Sequence, residues 1–165
     1  DGIERIRFGS LEPRIITEEF ASALAGMEKI CPHFHLSLQS GCDETLKRMN
    51  RHYTCEEYLE RCQILRDCFS NPAITTDVIV GFPGETEEEF EQTQEFLKTV
   101  HFYEMHVFKY SRRAGTRADR MPDQIPEPVK TKRSAALLKL EAEMSKEYRA
   151  SFLGKRRSFL WRSQR

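Results

Sequence analysis

Residues 75–90 read "TTDVIVGFPGETEEEF". A β-branched run gives way to Gly81-Phe82-Pro83-Gly84, and an acidic helical pattern follows. A short apolar run ended by glycine and proline is the pattern of a buried strand. Thr86 followed by Glu89 fits a capping box at the start of the next helix. One strand, one turn and one helix are therefore expected, with the strand at 74–80 and the helix running from 86 with Phe90, Thr93, Leu97 and Val100 on one face. The turn is no phosphate cradle. Its spacing is wrong for G-x-G-x-x-G, and no Gly-Lys-Ser/Thr follows. Glu85, Glu87, Glu88 and Glu89 surround the helix start and repel phosphate, so the expected ligand is neutral-polar or cationic.

The same unit recurs on both sides. "ERIRF" (4–8) alternates like a strand, and "GSLEP" (9–13) is its closing loop. Thr17 caps a helix carrying Phe20, Leu24 and Met27. "FHLSL" (34–38) is a second strand ended by "QSGC" (39–42), after which Asp43 caps a short helix through Met49. A longer helix spans 56–69, with Tyr58, Cys62, Leu65 and Phe69 aligned. "MHVFKY" (105–110) is the fourth strand, ended by "SRRAGT" (111–116). "MPDQIPEP" (121–128) links it to a long helix over 129–152 with Leu137, Leu140, Met144 and Tyr148 in line, and "KRRSFLW" after Gly154 reads as a new strand. Strands alternating with helical crossovers give an α/β fold with a parallel sheet. In barrels and doubly wound sheets alike, ligands bind at the carboxyl ends of the strands. The loops GSLEP, QSG, GFPGE and YSRRAGT are the candidate site.

The chain of 165 residues suits one domain with its own core. No run of about 18 apolar residues is present, so no membrane span is expected. Charge is uneven: residues 1–108 carry 10 basic and 20 acidic side chains, residues 109–165 carry 16 and 6. The basic part fits either nucleic acid or a solvated helix face. Five cysteines without a secretory signal indicate free thiols in a reducing, cytoplasmic setting. Their spacing matches no zinc or cluster motif, and Cys62 and Cys68 read as apolar fillers. His35, Ser37 and Gln39 share a strand face that is either a polar lumen or a solvent side. Arg5 and Arg7 fit an anion site or plain surface alternation. Asp77 interrupts an apolar strand and needs a partner, with Arg51 and Lys109 the candidates. His33, His52, His101 and His106 are scattered and read as structural or exposed.

Taken together, "RIRFGSLEP", "LSLQSGCDETLKRMNRHYT", "TTDVIVGFPGETEEEF" and "FKYSRRAGTRA" resemble the radical S-adenosylmethionine tRNA methylthiotransferases, with "QSGC…LKRMNR" most like the branch acting on threonylcarbamoyladenosine. The resemblance implies a partial (βα) TIM-like barrel of parallel strands with crossover helices, four of the barrel strands being present. It implies S-adenosylmethionine and [4Fe-4S] clusters as cofactors, tRNA as partner, and methylthio insertion at C2 of a modified adenosine near the anticodon. It places cofactor contacts at Glu12, Gln39, Ser40, Asp77, Gly81, Phe82, Pro83, Gly84, Glu85, Tyr110 and Ser111. It leaves the catalytic residue unassigned and assigns no metal ligand. The family's C-x-x-x-C-x-x-C cluster motif does not occur. The chain is therefore expected to be a fragment that is inactive alone and holds no cluster, with 1–153 the later part of the barrel and its trailing helix, and 154–165 the start of a TRAM RNA-binding domain. An exposed sheet edge invites self-association. The other readings are a non-catalytic βα module that binds RNA or a partner, and a different radical enzyme sharing the half-barrel.

Overall fold

The computed structural model describes residues 2–155, so the strand expected after Gly154 lies outside the described residues, apart from Lys155. Among the described residues four strands and five α-helices follow one another, with two helices between the second and third strands: β1 (Ser10–Leu11), α1 (Glu18–Ala25), β2 (His33–Leu36), α2 (Asp43–Arg48), α3 (Cys55–Cys68), β3 (Ala73–Val80), α4 (Glu87–Val100), β4 (Glu104–Lys109) and α5 (Glu127–Ala150). The strands pair in chain order, β1-β2-β3-β4, and every pair is parallel. A doubly wound sheet reverses its strand order at a switch point. This sheet does not, and its uninterrupted winding is that of a barrel arc.

Local chemistry sets the helix starts. Thr17 accepts from the Phe20 N–H at 3.1 Å. Thr54 with Glu57, and Thr86 with Glu89, close reciprocal capping boxes. Period-two alternation divides the sheet into two faces. Phe34, Leu36, Ile74, Val78, Val80 and Met105 are buried, and they share the face that packs on the helices. His35, Asp77 and His106 line an open pocket on the other face. Two tyrosines and a threonine are buried at the end of β2, where the ladder stops at Leu36. The Tyr58 hydroxyl donates to the Leu36 carbonyl at 2.9 Å, and Tyr53 donates to the Leu38 carbonyl at 2.8 Å. Thr76 accepts from the Leu38 N–H at 3.0 Å. These hydroxyls replace the strand partners that buried backbone groups require.

The structure moves several expected boundaries. Residues 4–8 form a single bridge, Ile6 with Ile30, and the paired strand is Ser10–Leu11, within the stretch expected to be a loop. Ile6 is exposed and only Phe8 of the alternating residues reaches the core, too little of a buried face to fix a longer strand. Cys42, not Asp43, occupies the cap position of α2, and the Asp43 carboxylate instead accepts from the Cys55 N–H at 2.7 Å, tying the start of α3 to the start of α2. Met27 falls beyond α1 and is exposed. The aligned residues on α3 and α4 are placed as expected, except that Phe69 is the C-cap of α3.

Candidate functional site

The loop after β3 is a tight turn. The Glu85 N–H donates to the Phe82 carbonyl at 3.0 Å, with Pro83 second and Gly84 third at φ 78°. Proline followed by a left-handed glycine is the type II pattern. Gly81 is also left-handed, and a Cβ there would run into the side chain of Lys130 on α5. A Cβ on Gly84 would face the Arg48 guanidinium at 3.4 Å. Both glycines thus answer to neighbouring cations of the scaffold.

The acids of this segment are engaged too. Glu85 turns inward, accepts from the Gly81 N–H at 2.6 Å and from Arg133 at 2.7 Å, and is 3% exposed. Burial pushes its carboxyl above the ordinary carboxylate range, while the Gly81 N–H and Arg133 pull in the opposite direction. Glu87 pairs with Arg133 and Lys132, and Glu89 with Arg48. The attraction expected between these glutamates and a cationic ligand is therefore largely absorbed by protein cations.

Next to this turn an open pocket of about 500 Å³ is lined by Ile79, Phe82, Phe108, Lys109, Tyr110, Ser111 and Arg113, with Thr116 and Ala118 closing it. Phe82 and Tyr110 meet edge to face at 5.3 Å between centroids. The Tyr110 hydroxyl is buried without a hydrogen-bond partner, the kind of orphaned polar group that a ligand satisfies. Lys130 donates to the Tyr110 carbonyl at 3.0 Å and fixes the end of β4. Phe82, Tyr110 and Ser111, singled out in the sequence, thus meet in one place.

The other expected contacts lie around this centre. Gln39 is buried with φ 74°, and its backbone bridges β3 at Asp77 and Ile79. Ser40 directs its hydroxyl to Thr93 on α4 and to the Cys42 N–H, both at 3.3 Å. Pro83 is buried, and the Gly84 N–H donates to the Asp123 carbonyl at 2.9 Å. Glu12 accepts from Arg14, both side chains being exposed.

Asp77 belongs to a second pocket. Neither Arg51 nor Lys109 pairs with it: its partner is His35, at 3.3 Å. Lys109 is bound to Glu127 instead. The side chain of Asp77 is 27% exposed, so it is half-buried rather than sealed in a core. The pocket, about 490 Å³, is lined by Arg7, Phe8, Gly9, Ser10, His35, Asp77 and His106. The sequence reading set His106 aside, yet strand register places it directly opposite Asp77. Period-two spacing across β2, β3 and β4 is the signal that locates this group.

The five cysteines are spread over the described residues. All five are free, and among the described residues no three of them converge. Burial pushes the Cys62 thiol up to about 12 and Cys55 higher still, the opposite of what a thiolate ligand needs.

Residues 2–97 match the sequence profile of the Radical SAM superfamily. The chain is 46% identical to the tRNA-2-methylthio-N(6)-dimethylallyladenosine synthase of Caldicellulosiruptor saccharolyticus, over 94% of this chain and 33% of that protein. It is equally identical, 46%, to the threonylcarbamoyladenosine tRNA methylthiotransferase MtaB of Bacillus subtilis, over 92% of this chain and 34% of that one. The chain spans about a third of the length of these relatives. Among solved structures, coproporphyrinogen III oxidase (HemN) from Escherichia coli, described as a radical SAM enzyme, superposes with a TM-score of 0.67 over 86% of this chain and 32% of that one, at 21% identity. That likeness concerns the fold alone. The profile covers more than half of the chain and the parallel arc accords with it: this chain belongs to the radical SAM superfamily.

Proposed function

We propose that this chain forms the cofactor-facing arc of the barrel of a tRNA methylthiotransferase, acting at C2 of an N6-modified adenosine beside the anticodon. The observation that carries the reading is the apolar rim pocket between Phe82 and Tyr110. With S-adenosylmethionine held by Phe82, Tyr110 and Ser111, and a [4Fe-4S] cluster beside it, the pair would supply the radical chemistry that functionalisation of C2 requires. The cysteines of the described residues do not suit that cluster, and no step is assigned to it.

The chain's own residues bind and orient. Phe82 and Ile79 offer an apolar wall to the adenine ring, and Tyr110 offers its unpartnered hydroxyl. Ser111 continues the rim toward the ribose. Gln39 and Ser40 stand at the neighbouring strand end, on the side proposed for the methionine and ribose portions, and Glu12 directly follows β1. Gly81, Pro83, Gly84 and Glu85 hold the turn that carries Phe82. Asp77 faces the second pocket and acts on the adenosyl group only through the strand it shares with Ile79. Arg113 lines the pocket, and the loop at 111–120 that carries it also holds Arg117, Arg120 and Arg112, the last paired with Asp119, a basic segment suited to tRNA phosphates.

The test is a chimera. This chain replaces the matching third of the Bacillus subtilis relative, and tRNA hydrolysates are read by mass spectrometry. Appearance of the 2-methylthio nucleoside, lost with Phe82→Ala, is the expected result. A folded chimera that carries its clusters, binds S-adenosylmethionine and leaves tRNA unmodified would overturn the reading.

A further inference from the structure

We propose that His35, Asp77 and His106 form a binding site for a divalent first-row transition-metal ion, separate from the rim pocket and independent of the methylthiotransferase reading. One ligand atom from each lies within 4.8 Å of the other two. Each residue comes from a different strand, β2, β3 and β4, and all three line the same open pocket. Asp77 and His106 are register partners. The two imidazole rings are nearly parallel, at 26°, with centroids 5.8 Å apart.

His35 is already oriented for the task. Its Nδ1 is 3.0 Å from the Thr75 hydroxyl, and its Nε2 is 3.3 Å from the Asp77 carboxylate. A metal-binding imidazole characteristically uses one nitrogen on the ion and the other on an outer hydrogen-bond partner. Thr75, which is buried, supplies that partner. His106 is exposed, so its ring is free to close the remaining gap. Donors around a tetrahedral zinc at about 2.0–2.2 Å stand roughly 3.4 Å apart, so only a small inward rotation is required. Two imidazoles and one carboxylate suit zinc, cobalt or ferrous iron and leave a coordination position for water.

The site lies deep in the arc. Asp77 precedes the end of β3 by three residues, about 10 Å at roughly 3.3 Å per residue, so the ion would not share the adenosyl pocket. Arg7 lines the same pocket, but its guanidinium is held against His33 at 3.1 Å. That positive charge weakens cation binding without filling the site.

Cobalt titration of the intact chain tests the proposal. A nitrogen–oxygen site gives d–d bands in the visible region without the near-ultraviolet charge transfer of a thiolate site. The expected result is one equivalent of Co²⁺ with such bands, displaced by Zn²⁺. His106→Ala, at an exposed position, should weaken binding at least tenfold while circular dichroism stays unchanged. Asp77→Asn should act likewise, His52→Ala should change nothing, and Arg7→Gln should tighten binding. Thiolate charge-transfer bands, unchanged affinity in folded His106→Ala and Asp77→Asn proteins, or no binding at millimolar Co²⁺ would each overturn it.

Discussion

Arg133 in the second turn of α5 and Glu85 at the mouth of α4 form a buried ion pair at 2.7 Å, with side chains 5% and 2% exposed. The pair fastens the long C-terminal helix to the turn that presents Phe82. Arg133 also donates to the Glu85 carbonyl at 3.0 Å and lies over the Phe90 ring. Removing one member of a buried pair leaves an uncompensated charge and costs about 3–5 kcal/mol. Arg133→Ala should therefore destabilise by about that amount at pH 7 in denaturant titration. Burial already pushes the Glu85 carboxyl up, and losing Arg133 raises it further. A folded-state carboxyl above its unfolded value stabilises only while protonated, and that stability is lost as pH rises. The deficit of Arg133→Ala should consequently shrink near pH 4. An equal deficit at both pH values would show that lost packing, not stranded charge, is responsible.

The two glycines of the turn should respond differently to alanine. Both are left-handed, which costs a side chain about 1–2 kcal/mol. At Gly81 the new methyl also collides with the stem of Lys130, whereas at Gly84 it meets the Arg48 guanidinium at ordinary contact distance. Gly81→Ala should lower stability more than Gly84→Ala, and Lys130→Ala should recover part of the difference. Equal melting temperatures for the two single variants would refute the packing account.

Alkaline pH offers an independent check on the core. Burial raises Tyr53 to about 12, and Tyr58 well above its ordinary value. An unfolded tyrosine loses its proton near 10 while the folded one keeps it. Stability should therefore fall between about pH 10 and 12, by about 1.4 kcal/mol per pH unit for each such group. Tyr53→Phe should flatten that slope while costing stability at neutral pH through the lost hydrogen bonds to Ser37 and Leu38. A slope unchanged by the substitution would place the titrating group elsewhere.

The repeated strand–helix pattern was legible where a strand has a buried face, as in β2 and β3, and where a helix has a sequence-local cap, as in α1 and α4. Thr17, Thr86 and the β3 run needed no tertiary information. The first strand was not legible, since in the alternating stretch before it Ile6 is exposed and only Phe8 reaches the core, and the pairing of Ser10–Leu11 is set by β2. The turn residues of GFPGE were legible as a turn, but their reasons were not: Lys130, Arg133 and Arg48 are far along the chain from their partners Gly81, Glu85 and Gly84, and sequence spacing does not report such contacts. Asp77 was rightly picked out as unusual, yet its partner came from the neighbouring strand, because register decides which polar side chains share a face.

The central claim is that the rim pocket beside Phe82 receives the adenosyl group. Titrating S-adenosylmethionine into the isotope-labelled chain while following backbone amide resonances tests it residue by residue, even at millimolar affinity. The account predicts shifts concentrated at residues 79–85 and 108–111, abolished by Phe82→Ala in a protein that keeps its fold. Shifts confined to the pocket of His35, Asp77 and His106, or none at saturating cofactor, would contradict it.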